Sequence, residues 1–394
     1  MERMDVKQIV EAALARLDVW IVGEDFKGYE PHDALNSPVL KHLCGTNRLL
    51  GIAFLQLFRR CPINFRPFLR IPKNNNAKAF GLFLSTYSKK YQRSRAQQDL
   101  DQVSFFSQWL QNNISPGYAG ACWGYPFPWP NRASFVQTGT PTAVNTAFIV
   151  FGLLDCYVRC GDDDALKTAQ SACNFFLENL NRLETEDGVC FSYTPYDRRF
   201  VHNASVLVGT ALARTGHVSG EETLSDWGKR TIDFTVSRQA DDGSWPYGEG
   251  HSEKWVDNFH TGFVLNALTD FDQCASTVAV GAATQKGYGY YKDNFFLQKT
   301  IPKYYFNKLY PVDVHAVAQS ILTLLKHRHI DGEAVTVASN IAVWAIEHMQ
   351  HETGFFYYQK HRFFKNRIPY MRWGQAWMQY AFVELLDALA LERA

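Results

Sequence analysis

The chain of 394 residues carries a formal net charge of +1, with 46% hydrophobic and 20% charged residues. That composition excludes a disordered polymer and leaves ample material for a core. The near-zero charge excludes a general attraction to nucleic acid or anionic lipid, so any charged ligand must be met by a local cluster.

The N-terminus, MERMDVKQIVEAALARLDVWIVGEDF, has helically spaced apolar residues broken by charges, without the apolar stretch and small-residue cleavage site of an export signal. No uninterrupted apolar run of about 18 residues appears further on, so no membrane span is expected. The eight cysteines are scattered without a CxxC pair. This suits reduced thiols and, with no export signal, a cytoplasmic protein. Cys156 and Cys160 lie four apart on an expected helix, but no second ligand pair accompanies them; no metal and no other cofactor is expected.

From residue 101 onward one order of elements recurs: helix, turn rich in glycine and aromatics, polar helix start, apolar helix. SFFSQWLQNNIS (104–115) leads through GACWGYPF to PTAVNTAFIVFGLLDCYV, and LKTAQSACNFFLENLNRL (166–183) leads through DGVCFSYTPYDRRF to VHNASVLVGTALA. LSDWGKRTIDFTVSRQ (224–239) leads through DDGSWPYGEG to VDNFHTGFVLNAL. A fourth turn is read in KGYGYYKDNFF, including Tyr290 and Tyr291, ahead of LYPVDVHAVAQSILTLLKH. VTVASNIAVWAIEHMQ (335–350) then leads through TGFFYYQKHRFFKNRIPY to MRWGQAWMQYAFVELLDAL. Residues 1–100, with GYEPHDALNS and helical runs at 48–60 and 77–91, supply a divergent sixth unit. Hairpins of this kind bury their apolar faces by closing into a ring. The expected fold is all-α: one (α/α)6-type barrel, or toroid, over residues 1–394, with short β-hairpins at the rim around GSWPYG and GVCFSYT.

QADDGSWPYG resembles the Gln-Asp-Gly-Ser-Trp repeat of triterpene cyclases. The helix and turn order over about residues 100–390 also resembles the α/α toroids of uronate-acting polysaccharide lyases, glucuronyl hydrolases, glucuronyl epimerases and acylglucosamine 2-epimerases. The first resemblance would imply cyclisation, which needs a DxDD motif at an inner helix start. VDVHAVAQ has Asp313 but places His315 and Ala316 where that motif needs carboxylates. The second implies a carbohydrate-active enzyme.

If the apolar helices all start on one rim, their polar starts converge on one mouth. Helix capping asks for Ser, Thr, Asn or Asp, but not for histidine, arginine and tryptophan at the same level. The catalytic candidates are therefore Asp257, His260, Asp313, His315, His202 and Tyr247. Those for substrate binding are Trp123, Tyr125, Asn145, Tyr193, Asn203, Trp245, Lys254, Asn258, Arg372, Trp373 and Gln375. Aromatic faces beside planar polar groups suit a sugar, the expected partner. Hydrolysis would use Asp257 and Asp313 as its carboxylate pair. Proton abstraction, by a lyase or epimerase on a uronic-acid-containing glycan, would use the histidines or Tyr247, with Arg372 and Lys254 or Arg199 holding the carboxylate. Making or modifying a surface polysaccharide is the role this implies. The competing reading is a non-catalytic toroid that binds a glycan or a protein. The basic run YYQKHRFFKNR (357–367) reads as a rim loop facing an anionic glycan; with the charge near zero, no nucleic-acid partner is expected.

Overall fold

The computed structural model describes residues 5–44, 47–130 and 135–392. The first four residues of the expected N-terminal helix lie outside them. Fourteen α-helices are found among the described residues. Six form the inner wall: α4 (Ala77–Ser94), α6 (Ala143–Cys160), α8 (His202–Ser219), α10 (Asn258–Asp272), α12 (Val314–Lys326) and α14 (Ala376–Leu391). Each packs on the next and α14 packs on α4, so the ring closes. The outer layer is α1 (Val6–Gly23), α5 (Gln97–Asn112), α7 (Asp163–Asn179), α9 (Glu222–Ser237), α11 (Val278–Asn294) and α13 (Ala334–Met349).

The division follows from side-chain pattern. Inner helices bury nearly every residue, as α12 does from Val314 to Leu325, because they face neighbours on both sides and an outer helix behind. Outer helices bury one stripe, as α9 does with Leu224, Thr231, Ile232 and Thr235. By length and composition alone α6 passes for a membrane-crossing helix, but 67% of it is buried inside the fold and no clear membrane span results among the described residues. Its apolar length has a local cause, since it packs against α4, α7 and α8.

The first unit departs most from expectation. Its outer helix is α1 and its inner helix α4, while α2 (Pro38–Cys44) and α3 (Arg48–Arg60) form an insertion outside the ring. Leu40, Leu55, Phe58 and Ile71 give that insertion a small core of its own. The run at 48–60 is therefore not a barrel helix.

The recurrent turns have a structural cause. Trp123 and Trp245 are buried, and each donates its indole N–H to the last turn of the preceding outer helix: to Leu110 O at 3.0 Å and to Thr235 O at 2.8 Å. They wedge helices together, which gives Trp123 a packing role in place of its expected sugar contact, while Trp245 also reaches the small pocket that holds Asn203 and His260. In other turns of the repeat the chain must likewise come against the next outer helix. At Gly188 (φ 134°) a Cβ would lie 2.1 Å from Arg230 O of α9, and at Gly354 (φ 110°) 2.1 Å from Arg16 O of α1. Only glycine permits that approach and that backbone. The Gly354 contact joins the last turn to the first helix.

Two further expectations change. Tyr290 and Tyr291 belong to α11, not to a turn. GSWPYG forms no strand pair of its own, whereas GVCF does, with Arg182–Thr185 pairing to Gly188–Phe191. A three-stranded sheet of Val312–Asp313, Gln359–Lys360 and Lys365–Asn366 puts the basic run at the rim beside the start of α12. All eight cysteines are free thiols.

At the far end of α12, His327 is buried, bonded at Nδ1 to Thr323 O and at Nε2 to the Thr269 hydroxyl. Burial holds its pKa down at about 4, against 6.5 ordinarily. The unfolded chain therefore takes up a proton at this site from about pH 6.5 downward while the folded chain resists until about pH 4. Stability should fall as pH drops through that window. Urea melts across it should show the slope, and His327→Gln should flatten it.

Candidate functional site

The inner helices all begin at one end of the barrel, each behind a cap: Asn76, Thr142, Val201, Asp257, Asp313 and, before a π-helical turn at Met371–Gln375, Tyr370. The register from that cap decides where side chains go. The residue after the cap points outward: Asn258 is bonded to Ser320 and to Tyr291 of outer helix α11. His202 donates from Nε2 to Glu249 at 2.7 Å and lies against Phe234 of α9. The second and third residues after the cap point into the barrel. They include Lys78, Asn145, Asn203, Phe259, His260, His315, Arg372 and Trp373.

Asp257 and His260 form the first element of chemistry. Asp257 Oδ1 accepts the backbone N–H of His260 at 2.9 Å as the cap, and Oδ2 accepts from the imidazole Nδ1 at 2.8 Å. A carboxylate only accepts here, so Nδ1 carries a proton and Nε2 is the nitrogen left open toward a ligand. Tyr247 and Trp255 stack 4.2 Å apart, and both rings meet His260. Asn203 lines the same small pocket. Burial raises the Tyr247 phenol well above its ordinary pKa, so it is no base at neutral pH.

His315, on the adjacent helix, is the second element. Its Nδ1 donates to the carbonyl of Trp373 at 3.2 Å, inside the π-helical turn, a kind of distortion frequent at functional sites. Its Nε2 is buried and has no partner. Burial first, then the positive charges of Lys78, Arg372 and His260, push its pKa well below 6.5, so the ring is a neutral base. His260 and His315 both contact the rings of Phe259 and Phe263, so the two imidazoles share one aromatic pair.

The carboxylates are already engaged. Asp313 accepts from His315 N at 2.9 Å, Trp373 Nε1 at 2.9 Å and Gln359 Nε2 at 2.8 Å. Arg372, expected to hold a substrate carboxylate, is gripped on two nitrogens by buried Glu30 at 2.7 to 3.1 Å, and Arg199 is gripped likewise by Glu253. Lys254 is exposed and bonded to Gly248 O. Gln375 pins both backbone groups of Phe356 in the last turn. Asn145 is fully buried on the inward register with both amide atoms unpartnered. Tyr125 and Tyr193 meet near Tyr247, with Arg372 over the Tyr125 ring. Among the described residues no trio of His, Cys, Asp or Glu is arranged to hold a metal ion.

Several mouth residues escaped the sequence reading. Arg59, from α3, reaches in beside Tyr304, Tyr358 and Asp313. His32 lies near Phe127 and Trp373, on a loop fixed by Glu30 with Arg372 and Asp33 with Arg66. No periodicity marks these two. Lys78 does carry a signal: it stands two residues after its cap, as His315 and Arg372 do. It is buried with its ammonium over the rings of Phe148, Phe263 and Trp377, at 4.1, 5.3 and 5.4 Å. Burial, then Arg372, lowers its pKa well below the ordinary lysine value. These rings plug the barrel, so a cavity opens at the other end, away from the histidines.

Solved structures share this fold. An unsaturated glucuronyl hydrolase specific for heparin matches with a TM-score of 0.66 at 12% identity, over 98% of this chain and 97% of its own. A cellobiose 2-epimerase from Bacillus thermoamylovorans gives 0.64 at 13% identity, over 81% and 90%. A GH76 α-mannanase from Bacteroides thetaiotaomicron gives 0.62 at 12%, over 81% and 88%. The chain is thus similar in architecture to α/α-toroid carbohydrate-active enzymes, and at these identities the likeness is one of fold. No family model matches the sequence, and no curated protein sequence matches it.

Proposed function

We propose that the chain is a carbohydrate-active enzyme that moves a carbon-bound proton of a sugar between His315 and His260. The observation that carries this is the orphaned Nε2 of His315, a buried acceptor beside a second histidine whose Nε2 is also left free. Leaving a buried acceptor unpaired costs about 1–3 kcal/mol, and such groups call for a ligand or a catalytic role. His315, neutral, would take the proton from the carbon next to a carbonyl or carboxylate, the C–H electron pair passing to that oxygen. His260 enters the step with a proton on Nε2 as well as the one Nδ1 shares with Asp257; it gives the Nε2 proton to the other face as the pair returns to carbon, and solvent then resets the two rings. Arg59 is the positive charge near enough to the mouth to offset the oxyanion.

Hydrolysis fits less well, because Asp257 and Asp313 spend their oxygens on caps and ring nitrogens and cannot flank a glycosidic bond with a free acid and base. The enzyme names of the structural neighbours, an epimerase and a glucuronyl hydrolase among them, support a sugar substrate. The test is incubation in D2O with D-mannose, D-glucose, cellobiose and glucuronate-ended oligosaccharides, read by proton NMR. Deuterium on the carbon next to the carbonyl or carboxylate is expected. Uptake with cleavage to an unsaturated product would mark a lyase. Release of reducing ends without deuterium uptake, or no reaction with any of them, would overturn the proposal.

A further inference from the structure

At the C-terminal ends of the inner helices lies a cavity of about 680 Å³, separated from the histidines by Phe148, Phe263 and Trp377 with Lys78 behind them. The repeat places one charged residue per inner helix on its wall. Thirteen residues after each cap stand Lys89, Asp155, Arg214, Asp270 and Lys326, and the sixth, Glu384, comes one residue later because the π-helical turn of α14 inserts one. Taken around the ring in helix order, the charges alternate in sign at every step. Arg214 pairs with Asp155 at 2.9 Å, Lys89 with Glu384 at 2.5 Å, and Lys326 with Asp270. Each pair joins two neighbouring inner helices, so the ring also staples the barrel end.

Stapling does not account for the rest. Gln319, 1% exposed, lines the cavity with its amide oxygen unpartnered, and so does Asn266 with its own. The wall thus offers unfilled acceptors inside a ring of donors and acceptors, over a floor of aromatic rings. Burial would raise the Asp155 carboxyl, but Arg214, Arg159 and the Ser85 hydroxyl offset it and hold it below its ordinary value, so the alternation persists at neutral pH. With Arg159, Asp272 and Arg328 also on the wall, a net anion here would face four carboxylates, and a net cation five ammonium or guanidinium groups. A molecule with neighbouring hydroxyls meets neither penalty, because each hydroxyl both donates and accepts. Its C–H faces suit the aromatic floor, and the volume lies in the ordinary range for small ligands.

We propose that this cavity is a second binding site, for an uncharged mono- or disaccharide. It is independent of the histidine chemistry, and the test keeps the two apart. D-glucose and cellobiose would be titrated calorimetrically into the wild-type protein and into three variants: His260→Gln/His315→Gln, Asn266→Trp, and the neutralised pair Asp155→Asn/Arg214→Gln. Circular dichroism melts would check that each is folded. The histidine variant should keep one binding site. Asn266→Trp, which fills the cavity from a half-buried position, and the neutralised pair should each lose about tenfold or more in affinity for it. D-glucuronate and D-glucosamine should bind there more weakly than D-glucose. Unchanged binding by folded Asn266→Trp, loss of all binding in the histidine variant, preference for a charged sugar, or no binding by the wild type would each overturn the proposal.

Discussion

His315→Asn is expected to slow carbon-bound proton exchange by about a hundredfold to ten-thousandfold in kcat, with KM little changed. The ring removed is the neutral base with the free Nε2, and it makes no structural hydrogen bond except through Nδ1 to Trp373 O. His260→Gln should lose a similar amount. Asp257→Asn is the informative companion. Asparagine caps a helix about as well as aspartate, so stability should hold, while the loss of the carboxylate that fixes the His260 tautomer should lower kcat. Initial rates and denaturant melts on the same preparations check both halves. Histidine variants within a few-fold of wild type would rule out the assignment.

Glu30→Gln should cost about 3–5 kcal/mol of stability, because it leaves the Arg372 guanidinium buried without its counter-charge. Glu30 also accepts from Asn76, the cap of α4, so the pair ties the last inner helix to the first across the ring's seam. The double change Glu30→Gln/Arg372→Met should recover much of the loss, since it removes the unpaired charge as well. Urea unfolding of the two single variants and the double would show this as a coupling of several kcal/mol. Additive losses would mean that the pair is not the clasp the geometry describes.

The ring itself was legible in the sequence, because five units repeat a turn, a polar start and an apolar helix. The turn aromatics were legible as a pattern, but residue type alone did not show the packing role of two of them. Trp123 and Trp245 recur because each fills the same gap against an outer helix, a packing demand that looks identical to a sugar platform when only residue type is visible. The site was legible to the level of the helix turn and no finer. His260 and His315 face inward while His202 and Asn258 face outward, and only the exact cap residue separates them, since one step along a helix turns a side chain by about 100°. Arg372 read as a free cation because its partner, Glu30, lies 342 positions away. Arg59 and His32 sit on an insertion with no counterpart in the repeat. The alternating ring at the far end could have been counted from the caps, had the extra residue in α14 been visible.

The account rests on one placement, a sugar carbon between His315 and His260 at the mouth where the inner helices begin. A crystal structure of the His260→Gln variant soaked with the substrate identified by deuterium uptake tests it most directly. The predicted result is density for a sugar at that mouth, stacked near Tyr247 and Trp373, with the exchanging carbon within about 3.5 Å of His315 Nε2. A sugar found only in the far cavity, or one at the mouth whose exchanging carbon faces a carboxylate and not an imidazole, would contradict it.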